Sequence, residues 1–152
     1  MSYPYPDLRA FIKRLEKEKE LLRIRTEVDP VLEISEITDR VSKNNGPALL
    51  FEKPKGSNHP LLINAFGSYQ RVNLSLGVES LDEIVERMEE LLDIQAPEGI
   101  LDKLRMLPRL ADLSRFLPKT VRSGACQEVV KTENFSLLEF PILQCWPQDA
   151  GR

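Results

Sequence analysis

Four apolar residues in a row, Ala48-Leu49-Leu50-Phe51, constrain the fold more than any other part of this sequence, because Asn44-Asn45-Gly46-Pro47 walls them off from what precedes. A continuous apolar run this short fits a buried strand better than a helix of one turn. The wall is a helix stop, in which a residue suited to left-handed geometry is followed by a proline that cannot continue the helix. The preceding stretch is therefore read as a helix opened by Asp29-Pro30, since proline is tolerated in a first turn, with Ile34, Ile37 and Val41 as its apolar stripe. Beyond the strand, a turn at Lys55-Gly56-Ser57-Asn58-His59-Pro60 leads to Leu61-Leu62-Ile63, a second buried strand able to pair with the first.

Other segments repeat this alternation of helix and strand. Asp7 caps a first helix in which Leu8, Phe11, Ile12 and Leu15 recur at helical spacing. Glu16-Lys17-Glu18-Lys19-Glu20 reads as a solvated face rather than a partner-binding run. Leu22, Ile24 and Thr26 alternate with Arg23 and Arg25, the period of a half-buried strand. Gly67-Ser68 opens a helix through Val72 and Leu76. Ser80-Leu81-Asp82-Glu83 is a capping box, and Leu81, Ile84, Val85, Met88, Leu91 and Leu92 then make a core-facing stripe. Pro97-Glu98-Gly99 interrupts the pattern before Leu101, Leu104, Leu107, Leu110, Leu113 and Phe116 resume it, with Pro108 producing a kink or two short helices. Pro118 to Gly124 reads as a crossing between domains, and Cys126, Glu128 and Val130 as the start of a strand. Leu137 to Trp146 reads as another strand, ending in the turn Pro147-Gln148-Asp149-Ala150-Gly151. A turn of this kind normally delivers the chain into a partner strand, so stopping at Arg152 gives the expectation of an interrupted protein.

The chain has 152 residues, 41% of them hydrophobic, enough for one domain with a real core. A formal net charge of -3 lacks the basic footprint of a nucleic-acid binder. No apolar run approaches the ~20 residues that span a bilayer, and Met1 to Asp7 has no signal-peptide pattern, so a soluble cytoplasmic protein is expected.

Candidate chemistry is sparse. Cys126 and Cys145 are too few and too far apart for a disulfide scaffold or a CxxC metal knuckle, and Cys145, within an apparent strand, reads as a small structural hydrophobe rather than a catalytic thiol. The lone His59 reads as a solvent-exposed turn residue rather than a general base. Asp149 sits where aspartate commonly bonds its own backbone. Glu86, Glu89, Glu90 and Asp93 form an acidic helix face read as solvated charge rather than a metal site. At Gly67-Ser68 an anion could meet helix N–H groups with Arg71 one turn later; an ordinary Ser68 cap and a surface or ion-paired Arg71 are the preferred readings.

Ordered blocks along the chain carry a family resemblance. Asp7-Leu8-Arg9-Ala10-Phe11-Ile12, Glu20-Leu21-Leu22-Arg23-Ile24 and Val28 to Ile37 come first. Gly46-Pro47-Ala48-Leu49-Leu50-Phe51-Glu52 follows, then Asn64-Ala65-Phe66-Gly67-Ser68 with Arg71-Val72 and Leu76-Gly77, and finally Phe140 to Arg152. Together these resemble the amino-terminal portion of UbiD-type decarboxylases, which act on aromatic or α,β-unsaturated acids with prenylated flavin mononucleotide. The resemblance implies a helix-rich α/β domain with a mixed sheet over residues 1–117. It assigns 118–152 to a linker and the truncated first strands of a split-barrel, flavin-binding central domain. It also implies that the residues holding flavin, a divalent metal (manganese) and substrate lie beyond Arg152, so no residue of this chain receives a catalytic, cofactor-binding or metal role and no cofactor is expected on it. Asp149-Ala150-Gly151 departs from the family's frequent Asp-Gly-Gly, which bears on turn geometry. The leading expectation is an inactive amino-terminal fragment of such an enzyme, whose partners would be the rest of its polypeptide and a small acid, in a homo-oligomer when full length. The alternatives are a naturally short, non-catalytic binding or assembly module, and an anion-binding domain using Ser68 and Arg71.

Overall fold

The computed structural model describes residues 4–92, 99, 111, 118 and 120–149. The expectations for Asp93, the Pro97 interruption, the stripe from Leu101 to Phe116, the side chains of Leu91 and Leu92, and the end of the last turn lie outside these residues. Contacts divide the chain into two units, Tyr3–Leu81 with Glu133–Arg152, and Met1–Ser2 with Asp82–Thr132.

The first unit is built on a three-stranded sheet in the order β1-β2-β3, with β1 (Leu21–Ile24) parallel to β2 (Ala48–Phe51) and β3 (Leu61–Ile63) antiparallel to it. Parallel strands need a crossover. Here it is α2 (Glu33–Lys43). β2 is buried throughout, as its apolar run requires. Leu49 and Phe51 join Val28 and Ile34 on one face, with Ile24, Ile37, Val41, Leu61 and Ile63 packed around them. Ala48 joins Phe11 and Leu15 of α1 (Leu8–Lys17) on the other, with Leu21, Leu62 and Leu74 alongside. Helices thus cover both faces of the central strand, and each large apolar side chain sealed there contributes about 1.5–3 kcal/mol relative to exposure.

Local signals set the helix ends. Asp7 accepts a hydrogen bond from Ala10 N (2.8 Å) and caps α1. Asn45 takes φ 54° after α2, and Gly46 N donates to Val41 O (2.8 Å), closing the helix as the Asn-Gly-Pro wall predicts. Ser68 caps α3 (Tyr69–Leu76) by accepting from Arg71 N, and Gly77, in the left-handed region, ends it.

Several expectations are corrected. α2 begins at Glu33, not at Asp29-Pro30: Asp29 Oδ1 accepts from Val31 N and a tight turn follows, with Leu32 at φ 64° and Glu33 N donating to Val31 O (2.8 Å). β1 stops at Ile24, leaving Thr26 exposed, and Leu22 is 54% exposed because this edge strand is only partly covered. The segment from Leu137 to Trp146 is no ladder strand; it holds a 3₁₀ turn at Leu137–Glu139 and one isolated bridge, Gln144 to Val31. Gln144 N donates to Pro30 O and Leu32 N to Gln144 O, both at 3.1 Å, and Leu143 packs on the α2 side of the sheet.

In the second unit, α4 (Asp82–Leu92) starts two residues after Ser80. Its stripe is not core-facing: Val85 and Met88 are 51% and 56% exposed. Cys126 lies in a 3₁₀ turn, Ala125–Gln127, instead of beginning a strand.

Candidate functional site

The most unusual side chain is Arg71, third residue of α3, which the sequence reads as a surface or ion-paired arginine and the structure leaves 1% exposed. Helical side chains lean toward their own N-terminus. Its guanidinium accordingly reaches back beneath the loop that enters α3. Nη1 donates to Glu20 Oε2 at 2.7 Å, while Nε and Nη2 are buried without a hydrogen-bond partner. Glu20, which starts no helix but links α1 to β1, is 21% exposed at its side chain.

That loop runs Asn64-Ala65-Phe66-Gly67-Ser68. Asn64 sits at φ 58° and donates through Nδ2 to Pro47 O (3.0 Å), tying the loop to the wall before β2. Gly67 is exposed, and a β-carbon there would collide with Asn64 Oδ1 and lie 3.0 Å from Arg71 Nη2. Ser68 and Arg71 are therefore brought together as the sequence expects, through the cap. Gly67 joins them as the Gly67-Ser68 reading expects, and Glu20 and Asn64 join unannounced. Asn64 carried a faint signal, since asparagine tolerates left-handed backbone; Glu20 carried none, because its pairing spans 51 positions.

Two clefts open on the same unit. One of about 320 Å³ is mainly apolar, lined by Leu8, Ile12, Leu50, Pro60 and Leu62 with Asp7 and Arg9 at its rim. The other, about 690 Å³, is polar and includes Tyr5, Arg14, Glu18, Gln70 and Asn73. Asp7 is engaged as a helix cap and Arg14 pairs with Glu18 at 3.2 Å. Among the described residues no three His, Cys, Asp or Glu side chains group as metal ligands. The donor sets of these clefts do not fit a flavin mononucleotide with its divalent metal.

The other candidates fall apart from this site. His59 is exposed in its turn, as expected, and stacks on Phe140 at 4.9 Å. Asp149 Oδ2 accepts from Trp146 N (2.9 Å) and Cys145 N (3.1 Å), the backbone role that its position predicts. Cys145 and Cys126 are free and exposed, so the expectation of a structural hydrophobe at Cys145 is corrected. Glu86, Glu89 and Glu90 are exposed along α4.

This arrangement can be set beside known proteins. Residues 12–88 match the family described as the 3-octaprenyl-4-hydroxybenzoate carboxy-lyase N-terminal domain, UbiD_N, which is half of the chain. The chain belongs to this family. A protein of Aquifex aeolicus is 46% identical over 154 residues, covering 100% of this chain and 32% of that protein, and one of Archaeoglobus fulgidus is 49% identical over 148 residues, covering 97% and 30%. Among solved structures, the closed form of Sedimentibacter hydroxybenzoicus vanillic acid decarboxylase is similar over 97% of this chain and 29% of its own, with 29% identity and a TM-score of 0.67. An evolved dimeric form of the UbiD-class enzyme HmfF from Pelotomaculum thermopropionicum, in complex with prFMN, is similar over 61% of this chain and 21% of its own, at 27% identity and a TM-score of 0.50. The UbiD_N chain thus spans about a third of the length of the relatives it matches. Its mixed α/β architecture is that of the amino-terminal region of UbiD-class decarboxylases.

Proposed function

We propose that this chain is the amino-terminal, non-catalytic part of a UbiD-like carboxy-lyase that decarboxylates an aromatic or α,β-unsaturated acid. The observation carrying the reading is similarity to the closed vanillic acid decarboxylase over 97% of the chain at a TM-score of 0.67. In this reading the cofactor is prenylated flavin mononucleotide, which supplies the electron sink for loss of carbon dioxide, and manganese is its metal. HmfF, which binds prFMN, supports the flavin. Both groups are held by polypeptide other than the residues described above, whose clefts lack suitable donors. Residues 1–117 serve as a supporting α/β domain and 118–152 as the connection into a central flavin-binding domain, its last part anchored on α2 through Gln144. A homo-oligomer in the cytoplasm is the working state; among the described residues no helix is long and apolar enough to cross a membrane.

Two reactions test this. Residues 1–152 mixed with reconstituted cofactor, Mn²⁺ and a panel of cinnamate-like and hydroxybenzoate-like acids release no carbon dioxide above background; turnover overturns the non-catalytic assignment. A longer polypeptide carrying this chain at its amino terminus, reconstituted in the same way, releases carbon dioxide from at least one of the acids. Silence across the panel counts against the carboxy-lyase.

A further inference from the structure

We propose that the entrance to α3 is a binding site for a small oxyanion of the phosphate class, formed by the underside of the Asn64–Ser68 loop, the first N–H groups of α3 and the Arg71 guanidinium. The proposal stands on this chain's own residues and is independent of the decarboxylase reading.

Three observations converge there. First, Arg71 is 1% exposed, yet Nε and Nη2 have no partner. An unsatisfied buried donor is costly, and more so when it belongs to a charged group, so a native structure rarely keeps one without an ion or water to meet it. Second, the Ser68 hydroxyl accepts from Arg71 N and the Ser68 carbonyl from Val72 N, which leaves the N–H groups of Tyr69 and Gln70 without a partner among the described residues. Both residues are exposed, and α3 is eight residues long, so its positive N-terminal end faces solvent. Third, Gly67 lies between the two sets of donors. A β-carbon at this exposed position would lie 3.0 Å from Nη2 and collide with Asn64 Oδ1, so only glycine lets the loop hold its present geometry beside the guanidinium.

The chemistry favours a tetrahedral dianion. A phosphate presents oxygens in several directions at once, and a planar guanidinium with two free N–H edges beside backbone amides meets two or three of them. Glu20 opposes it. Its carboxylate holds Nη1 at 2.7 Å and neutralises part of the charge, so this site binds more weakly than an unpaired arginine would. That competition gives the proposal its sharpest consequence, because replacing Glu20 by glutamine keeps an acceptor for Nη1 and removes the competing charge.

The experiment is a titration of residues 1–152 with inorganic phosphate, and in parallel with glycerol 3-phosphate, at constant ionic strength set with chloride, read by the amide resonances of Gly67, Tyr69 and Gln70. Saturable shifts at these amides are expected, with Glu20→Gln binding phosphate about tenfold more tightly. In Gly67→Ala, whose added carbon displaces the Asn64 side chain and with it the loop beside Nη2, the shifts are expected to be lost while the resonances of the β-sheet stay in place. If the monoester saturates the same amides the site accepts a phosphoryl group on a larger molecule; if only inorganic phosphate does, the site takes the free anion. Either result supports an oxyanion site. No saturable response to either ligand, or a response equal in Gly67→Ala, overturns it and leaves the orphaned donors to buried water.

Discussion

Leu15 and Arg71 are equally sealed from water, but one fills apolar space between α1 and the sheet while the other brings a charge that only Glu20 compensates. Their substitutions should therefore fail differently. Leu15→Ala leaves a cavity under α1 and is expected to cost about 2–5 kcal/mol in urea unfolding, with the sheet retained. For the ion pair, the order of the two single variants is the informative quantity. Glu20→Ala leaves a buried guanidinium without its counter-charge, at about 3–5 kcal/mol. Arg71→Met leaves a carboxylate that is partly open to solvent and can hydrate, and is expected to cost about 1–2 kcal/mol. The reverse order in urea midpoints at pH 7 would show that the pair's burial has been misjudged. Residue-scale reading of the sequence succeeded where the signal was local: Asp7, Ser68 and Asp149 each bond backbone within four positions. At Arg71 the ion-paired alternative holds, but the burial was not legible, since arginine is normally a surface residue and its partner Glu20 is brought in through the β1-β2 pairing.

Among the elements, α2 shows how a long-range contact displaces a local rule. Pro30 is a good first-turn residue, and on that rule alone the helix would start there. Instead Val31, Leu32 and Glu33 form a γ-turn of the strained kind, with Leu32 at φ 64° and ψ -33°, and Gln144 brackets it with hydrogen bonds on both sides. Ser35 Oγ donates to the same Gln144 carbonyl across 109 positions. No periodicity within residues 29–43 could have announced that. The same pairing explains why Leu137 to Trp146 is not a strand: only one of its residues finds a bridge partner among the described residues, and a lone edge segment gains too little from one bridge to extend. Glycine adopts positive φ at no steric cost, so Leu32→Gly is expected to stabilise the unit by about 1 kcal/mol despite losing a half-buried side chain. A lower urea midpoint for Leu32→Gly would mean that the side chain matters more than the strain. Strand β2 and its pairing with β3 are legible because four consecutive apolar residues admit few other states, whereas the core-facing expectation for α4 rests on its period alone. Periodicity tells which residues share a face; it does not supply the surface that covers them.

For the molecule as a whole, the chain's sequence announced a mixed α/β fold and the family, while the pieces that hold distant elements together stayed hidden because they are made by charges on separate elements. Arg23 of β1 is the main example. Its Nε donates to Glu16 of α1 and its Nη1 donates to Glu52, just past β2, at 2.7 Å. The hydrogen bond from Arg23 is the chief reason that the Glu16 carboxyl is held below its ordinary value of 4.5, and the same bonds, Glu16 first, raise the Arg23 guanidinium. The sign follows from the direction: a carboxyl whose folded value is depressed adds stability above its unfolded value, and that contribution fades as pH falls through the folded one. Lys43 and Lys55 are raised by hydrogen bonds to Asp39 and Asp29, so theirs is present below about pH 10.5 and fades only above it. Because the Arg23 cluster is substantially exposed, its worth after solvent screening is at most about 1 kcal/mol. Arg23→Met is accordingly expected to be less stable than the parent by up to about 1 kcal/mol at pH 7, with the two thermal-midpoint curves converging as pH falls below 4.5 and Glu16 protonates in both. Adding 0.5 M salt at pH 7 should narrow the same gap, since exposed pairs are screened. Curves that stay parallel through the acid range would show that the clamp joining α1, β1 and β2 contributes nothing to folding, and that the sheet is held by its apolar faces alone.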